Sequence, residues 1–113
     1  MPNLPTHIGL AMQVASAVAH PTIAAHLGAF LLGSTAPDIR LLTKGKRDET
    51  HFAPLTIEYI GTGVDGLLEK HPALSDPDNV NEPTKVFLSG YFPHLMADET
   101  WILEIYRPHF YNS

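Results

Sequence analysis

The chain has 113 residues, enough for a single domain spanning residues 1–113. Its 7 Lys+Arg against 12 Asp+Glu leave a net charge of −5, which argues against the basic patch of a general nucleic-acid binder. Hydrophobic residues make up 44%, enough for a packed core, and the absence of cysteine excludes disulfides, Cys-based zinc fingers and thiol catalysis.

The N-terminus, Met1-Pro2-Asn3-Leu4-Pro5, lacks the basic start of a signal peptide. The apolar-rich stretch from Leu10 to Leu32 is interrupted by Gln13, Ser16, His20, Pro21, Thr22 and His26, too often for a membrane span. Together these predict a cytoplasmic protein.

Residues 8–19 are apolar and alanine-rich without strand alternation, and predict a helix that Pro21 ends near Ala19. Thr22 to Leu32 reads as a second helix with Ile23, Leu27, Phe30 and Leu31 on one face. Its alanines and Gly28 suit close packing, and Gly33 is its expected stop. Residues 33–51 read as irregular, and Thr50 as the cap of a helix starting near His51. Ile60, Val64, Leu67 and Leu68 fit helical spacing, with a break expected near Gly61. Residues 71–83 hold three prolines and read as a loop, after which Asn81 caps a last helix from about Thr84 to Arg107. No segment alternates as a strand, so the fold class is all-α.

The seven histidines raise the question of a metal or acid–base constellation, since imidazole serves both. In the last helix Phe87, Tyr91, His94, Asp98, Trp101 and Ile105 follow the 4, 3, 4, 3, 4 spacing of one buried face. A buried carboxylate needs a partner, and a metal ion supplies one. His94 and Asp98 at i, i+4 present one nitrogen and one oxygen ligand to a single point. The alternative is that Asp98 only accepts a hydrogen bond from His94. Pro93 removes a helical hydrogen bond, so the helix either kinks there or begins again at His94.

Further ligands must come from elsewhere in the chain. His7 sits just before the first predicted helix, as a ligand or as a cap or surface residue. Asp38 follows the stiff Pro37, either as a ligand or paired with Arg40. His51 precedes Phe52, either as a ligand or as an ordinary first-turn residue. His20, His26, His71 and His109 read as packed or surface groups.

The segments Thr6-His7-Ile8, Gly33-Ser34-Thr35-Ala36-Pro37-Asp38-Ile39, Thr50-His51-Phe52 and Gly90-Tyr91-Phe92-Pro93-His94-Leu95-Met96-Ala97-Asp98-Glu99 resemble the zinc-dependent phospholipase C family, which is related to the P1-type nucleases. The resemblance runs from residue 6 to about residue 107. It implies an all-helical bundle whose zinc ions hydrolyse phosphodiester bonds. On this reading Asp38, His51, His94 and Asp98 hold one zinc, and Asp98 bridges to a second held by His7. Asp38 also orients or deprotonates the attacking water. The implied substrate is a phosphodiester or phospholipid.

Two features depart from the family pattern. Secreted members place an N-terminal tryptophan on the metal where this chain has Met1-Pro2. The family's further His and His-x-x-x-Glu ligands have no counterpart after Asp98, where His109 is the sole histidine. The resemblance therefore covers the first half of a family member, and predicts one or two zinc ions per chain rather than three. A bundle shortened in this way exposes apolar surface able to pair with a second copy. The non-catalytic alternative is a helical binding domain stabilised by the metal.

Overall fold

The computed structural model describes residues 3–39 and 45–110. Among them every regular element is helical and no strand occurs, so the fold is all-α. Met1-Pro2, Arg40, Lys44 and the Asp38–Arg40 pairing considered above lie outside the described residues.

Helix α1 spans Leu4–Val18. It starts at Asn3, whose side chain accepts a hydrogen bond from the Thr6 amide at 3.0 Å. The cap lies five residues ahead of the predicted start at residue 8, so His7 belongs to the helix instead of preceding it. The helix closes at Ala19 in the left-handed conformation, and Pro21 opens the next element, as the proline predicts.

The single helix expected over 22–32 is two, α2 (Pro21–Ala25) and α3 (Leu27–Thr35), divided at His26. The predicted face does not hold as one unit: Phe30 is buried, Ile23 and Leu31 are half-buried, and Leu27 is exposed. Gly33 is not a stop but lies inside α3. After α3 a 3₁₀ turn, Ala36–Asp38, follows with Pro37 buried. The short α4 (Arg47–His51) contains Thr50, which therefore caps nothing, and His51 is its last residue rather than its first.

Gly61, at φ 111°, breaks the chain where expected, and α5 runs over Thr62–Lys70. Ile60 lies ahead of that helix. The proline-rich stretch forms two 3₁₀ turns, Pro72–Ser75 and Pro77–Asn79. Helix α6 (Glu82–Trp101) begins at Asn81, whose side chain accepts from the Thr84 amide at 2.9 Å. It passes through Pro93 without restarting, because Pro93 sits on its exposed side. The expected continuation to Arg107 is not one α-helix. A π turn, Ile102–Tyr106, intervenes before α7 (Arg107–Phe110). No helix among the described residues is long and apolar enough to cross a membrane.

Helix α6 is the central element. Leu88, Tyr91 and Leu95 meet Leu67 of α5 in one core cluster. Val86 joins Phe30 of α3 and Ala11 of α1 in a second, and Ile102 joins Ala53 and Ile57 in a third. The principal crossing is α3 on α6, at two glycines. A Cβ on Gly33 would lie 1.9 Å from the Phe87 carbonyl oxygen, and one on Gly90 2.2 Å from that of Phe30. By contrast a Cβ on Gly28, where close packing was expected, would meet nothing within 4 Å.

This contrast sets an expectation. Gly90→Ala should cost about 1–3 kcal/mol or more, because backbone on both sides must move. Gly28→Ala should be neutral or gain up to about 1 kcal/mol, the ordinary helical preference for alanine. Urea midpoints of the two variants against the parent chain measure both; an unchanged midpoint for Gly90→Ala would show that the crossing is looser than described.

Candidate metal centre

Five polar side chains from four separate elements meet on the buried side of α6. Asp98 is at their centre, 2% exposed. Its Oδ1 lies 2.9 Å from His7 Nε2, and its Oδ2 lies 3.0 Å from His51 Nε2 and 3.2 Å from His94 Nε2. The carboxylate of Asp38 approaches the same nitrogens, Oδ1 standing 3.6 Å from His51 and 3.5 Å from His94. The rings of His7 and His94 stack with centroids 3.5 Å apart.

Local structure aims each group. The α3–α6 crossing brings the Ser34 carbonyl onto His94 Nδ1, which donates to it. His51 Nδ1 faces the Arg47 carbonyl one turn back, at 3.3 Å. In both rings Nε2 is thereby left to face the cluster, since a carbonyl on Nδ1 fixes the tautomer and the ring orientation. The Thr50 hydroxyl donates to the Pro37 carbonyl at 2.6 Å, tying α4 to the turn that carries Asp38. Tyr91, on the α6 seam, donates through its hydroxyl to the Thr50 carbonyl.

The donor set fits a metal ion on geometric grounds. Asp38, His51, His94 and Asp98 each offer a ligand atom within 4.8 Å of the others. A tetrahedral zinc with bonds of about 2.0–2.2 Å separates its ligands by about 3.4 Å. The four contacts between these carboxylates and imidazoles run from 3.0 to 3.6 Å. His94 Nε2 is fully buried yet completes no hydrogen bond of good geometry. A buried nitrogen without a hydrogen-bond partner, aimed at two carboxylates, suits ligation of a cation.

Charge follows from the same contacts. Burial disfavours the charged forms, but for Asp98 the hydrogen bonds from His51 and His7, with the His94 ring close by, outweigh it and hold its pKa far below the usual carboxylate range. Burial likewise opposes charge on Asp38, and its contacts with His94 tip the balance downward. Burial would lower the pKa of His94, yet Asp38, Asp98 and the Ser34 carbonyl raise it to about 9. Burial also pushes the Tyr91 hydroxyl up to about 12, so it remains a donor.

All five sequence-derived residues thus come together, and His7 and His51 are buried rather than surface groups. The predicted seam is narrower than its spacing suggested: Trp101 is half-buried and Ile105 exposed. The other histidines lie apart. His20 accepts from the Thr22 amide as the cap of α2, His26 faces Glu82, His71 meets the ring of Phe52, and His109 is exposed. Sequence reasoning missed Glu99, buried beside Asp98 and accepting from the Gly61 and Gly63 amides at 2.8 and 3.0 Å. The only signal for it was the row Leu88, Leu95, Glu99, Ile102, a second helical stripe next to the predicted one.

A family model described as zinc dependent phospholipase C matches residues 6–112. No curated protein and no solved structure matches the chain. The family match and the buried His/Asp cluster together support Zn2+ as the cofactor.

The shifted groups make a pH prediction for chelator-treated protein. His94 is raised from 6.5 to about 9, so its contribution to stability is complete below 6.5 and is lost as pH rises through about 9. Asp98 is lowered from 3.8, so its contribution is complete above 3.8 and is lost as pH falls further. Urea midpoints of the chelated chain should therefore decline between pH 6.5 and 9. Zinc affinity should rise over the same interval, because ligation requires the neutral imidazole. Competition with a chromophoric chelator reads the second trend, and a flat zinc affinity would contradict the charge state assigned to His94.

Proposed function

This chain belongs to the zinc-dependent phospholipase C family, and on that premise we propose that it hydrolyses a phosphodiester, such as a phospholipid head-group linkage, by attack of a metal-activated water. The observation that supports this reading best is the four-residue cluster with zinc-like spacing. Asp38, His51, His94 and Asp98 would hold one zinc. The split of Asp98, with Oδ2 toward His51 and His94 and Oδ1 toward His7, favours a bridging carboxylate with His7 serving a second ion. One or two zinc ions per chain is the expected stoichiometry.

Bound zinc supplies polarisation of the phosphoryl oxygens and lowers the pKa of water toward 7. The protein's own contribution is distributed unevenly. The side chains of His51, His94 and Asp98 are 0–3% exposed, whereas that of Asp38 is 12% exposed. Asp38 is therefore the cluster carboxylate that solvent reaches, and it is the group placed to orient a water and accept its proton. Its lowered pKa keeps it ionised at neutral pH. His94, fixed through Nδ1 to the Ser34 carbonyl, keeps its Nε2 directed at the cluster.

Zinc content and turnover test the reading separately. Asp98→Asn should lose nearly all zinc, since three imidazoles depend on that carboxylate. His7→Ala should retain one zinc per chain, and equal retention in the two variants would remove the bridging role. Asp38→Asn should cut kcat on a soluble chromogenic phosphodiester by about 10²-fold or more. Zinc binding that raises the melting temperature with no turnover in the parent chain would instead support the metal-stabilised binding domain.

A further inference from the structure

Residues 1–37 hold no Asp, Glu, Lys or Arg, so the whole net charge of −5 lies in residues 38–113. Helix α1 belongs to this uncharged part. The described residues cover it along one line, His7, Ala11 and Ala15, and leave its other residues exposed. An ordinary surface helix turns charged side chains outward, and α1 has none to turn. Instead Leu4, Ile8 and Met12, at i, i+4 and i+8, form an apolar ridge along it and are 39%, 40% and 47% exposed. The next row, Pro5, Gly9 and Gln13, dips at Gly9, where an added Cβ would meet nothing within 4 Å. Gly33 and Gly90 each admit a neighbouring backbone, whereas Gly9 admits nothing of the described chain. A glycine inside a helix weakens it relative to alanine, and no contact among the described residues uses the space it opens.

We propose that this face of α1 is the interface of a homodimer, in which two copies cross with Ile8 of each seated over Gly9 of the other. A ridge lying beside a notch on one helix is self-complementary, as a two-fold axis requires, and the Ile8–Gly9 contact is then made twice. Charge selects the same occupant. Copies of an acidic chain that meet through residues 38–113 bring like charges together, whereas two α1 helices meet without a charged side chain on either. A lipid surface suits the face less well, because it lacks the Lys, Arg and aromatic side chains of an interfacial helix. Size sets the strength. A helix of 15 residues is about 22 Å long, and one such pair covers less than the ~800 Å² per partner of a standard interface. The dimer is therefore reversible at micromolar concentration. It braces the helix that presents His7 to Asp98.

Sedimentation of the whole chain from about 1 to about 500 µM, a range that brackets a small reversible interface, should show monomer passing to dimer. Gly9→Ala separates the two roles of the glycine. It should raise the urea midpoint of the dilute monomer, because alanine is the better helix former, and weaken the dimer about tenfold or more, because the notch is filled. Gly28→Ala, at another helical glycine with open space in the uncharged part, should leave the dimer unchanged. Met12→Glu should give monomer throughout, since it sets a carboxylate on the apolar ridge. A parent chain that is monomeric at every concentration overturns the inference. So does a dimer that neither Gly9→Ala nor Met12→Glu weakens, or one that Gly28→Ala weakens as much as Gly9→Ala. A monomer that binds phosphatidylcholine vesicles and loses them on Met12→Glu assigns the face to lipid, and the inference falls.

Discussion

The structure depends on one steric condition, the contact of the α3 and α6 backbones at Gly33 and Gly90. Only because neither residue carries a Cβ can the two helices close to backbone contact. That closeness has a chemical result. It brings the carbonyl of Ser34, buried in the last turn of α3, onto the ring of His94. It also delivers the following turn, Ala36–Asp38, to the face of α6 that carries His94 and Asp98. Helix packing and the gathering of the cluster are thus one event here, and a wider crossing would detach Asp38 from the cluster along with the His94 anchor.

Once gathered, the five polar groups face an electrostatic choice. Without a cation, Asp38, Asp98 and the Ser34 carbonyl favour the proton on His94 and raise its pKa to about 9 against its burial. With a cation, the proton on Nε2 gives way while the Nδ1 proton stays on its carbonyl. The Ser34 carbonyl therefore suits either state of His94, since it binds the nitrogen that does not change. The scaffold is prepared for the metal without being built around it.

Local chemistry made part of this legible from sequence. Pro21, Gly61 and Asn81 punctuate the chain where they were expected to, because a fixed φ, a positive φ and an Asx cap act within a few residues. The His94–Asp98 pair was legible because a helix converts spacing into a shared face. The burial of Gly33 was not legible, since it answers to the Phe87 backbone, distant in sequence, whereas the early start of α1 follows from a local Asn3 cap that the apolar pattern passed over. His7, Asp38 and His51 could be joined to the pair only through the family pattern. The groups that aim them, the Ser34, Arg47 and Pro37 carbonyls, are backbone atoms that every residue has, so no residue type announces them. Glu99 escaped notice because its partners are amides.

The π turn at Ile102–Tyr106 has a consequence for how the end of the chain is clocked. A turn closed by i→i+5 hydrogen bonds takes up one more residue than an α turn. Side chains from its later residues onward are therefore rotated by about one position relative to the α6 face. Ile105, in phase with Asp98 by simple counting, is turned outward, and Arg107 is turned inward, where its guanidinium donates to the Leu55 and Ile57 carbonyls. The turn works like a vernier between two scales. Upstream, the register is set by the histidine cluster; downstream, it is set by the 52–61 segment. A one-residue deletion within it would restore a single continuous helix and force those two registers to compete.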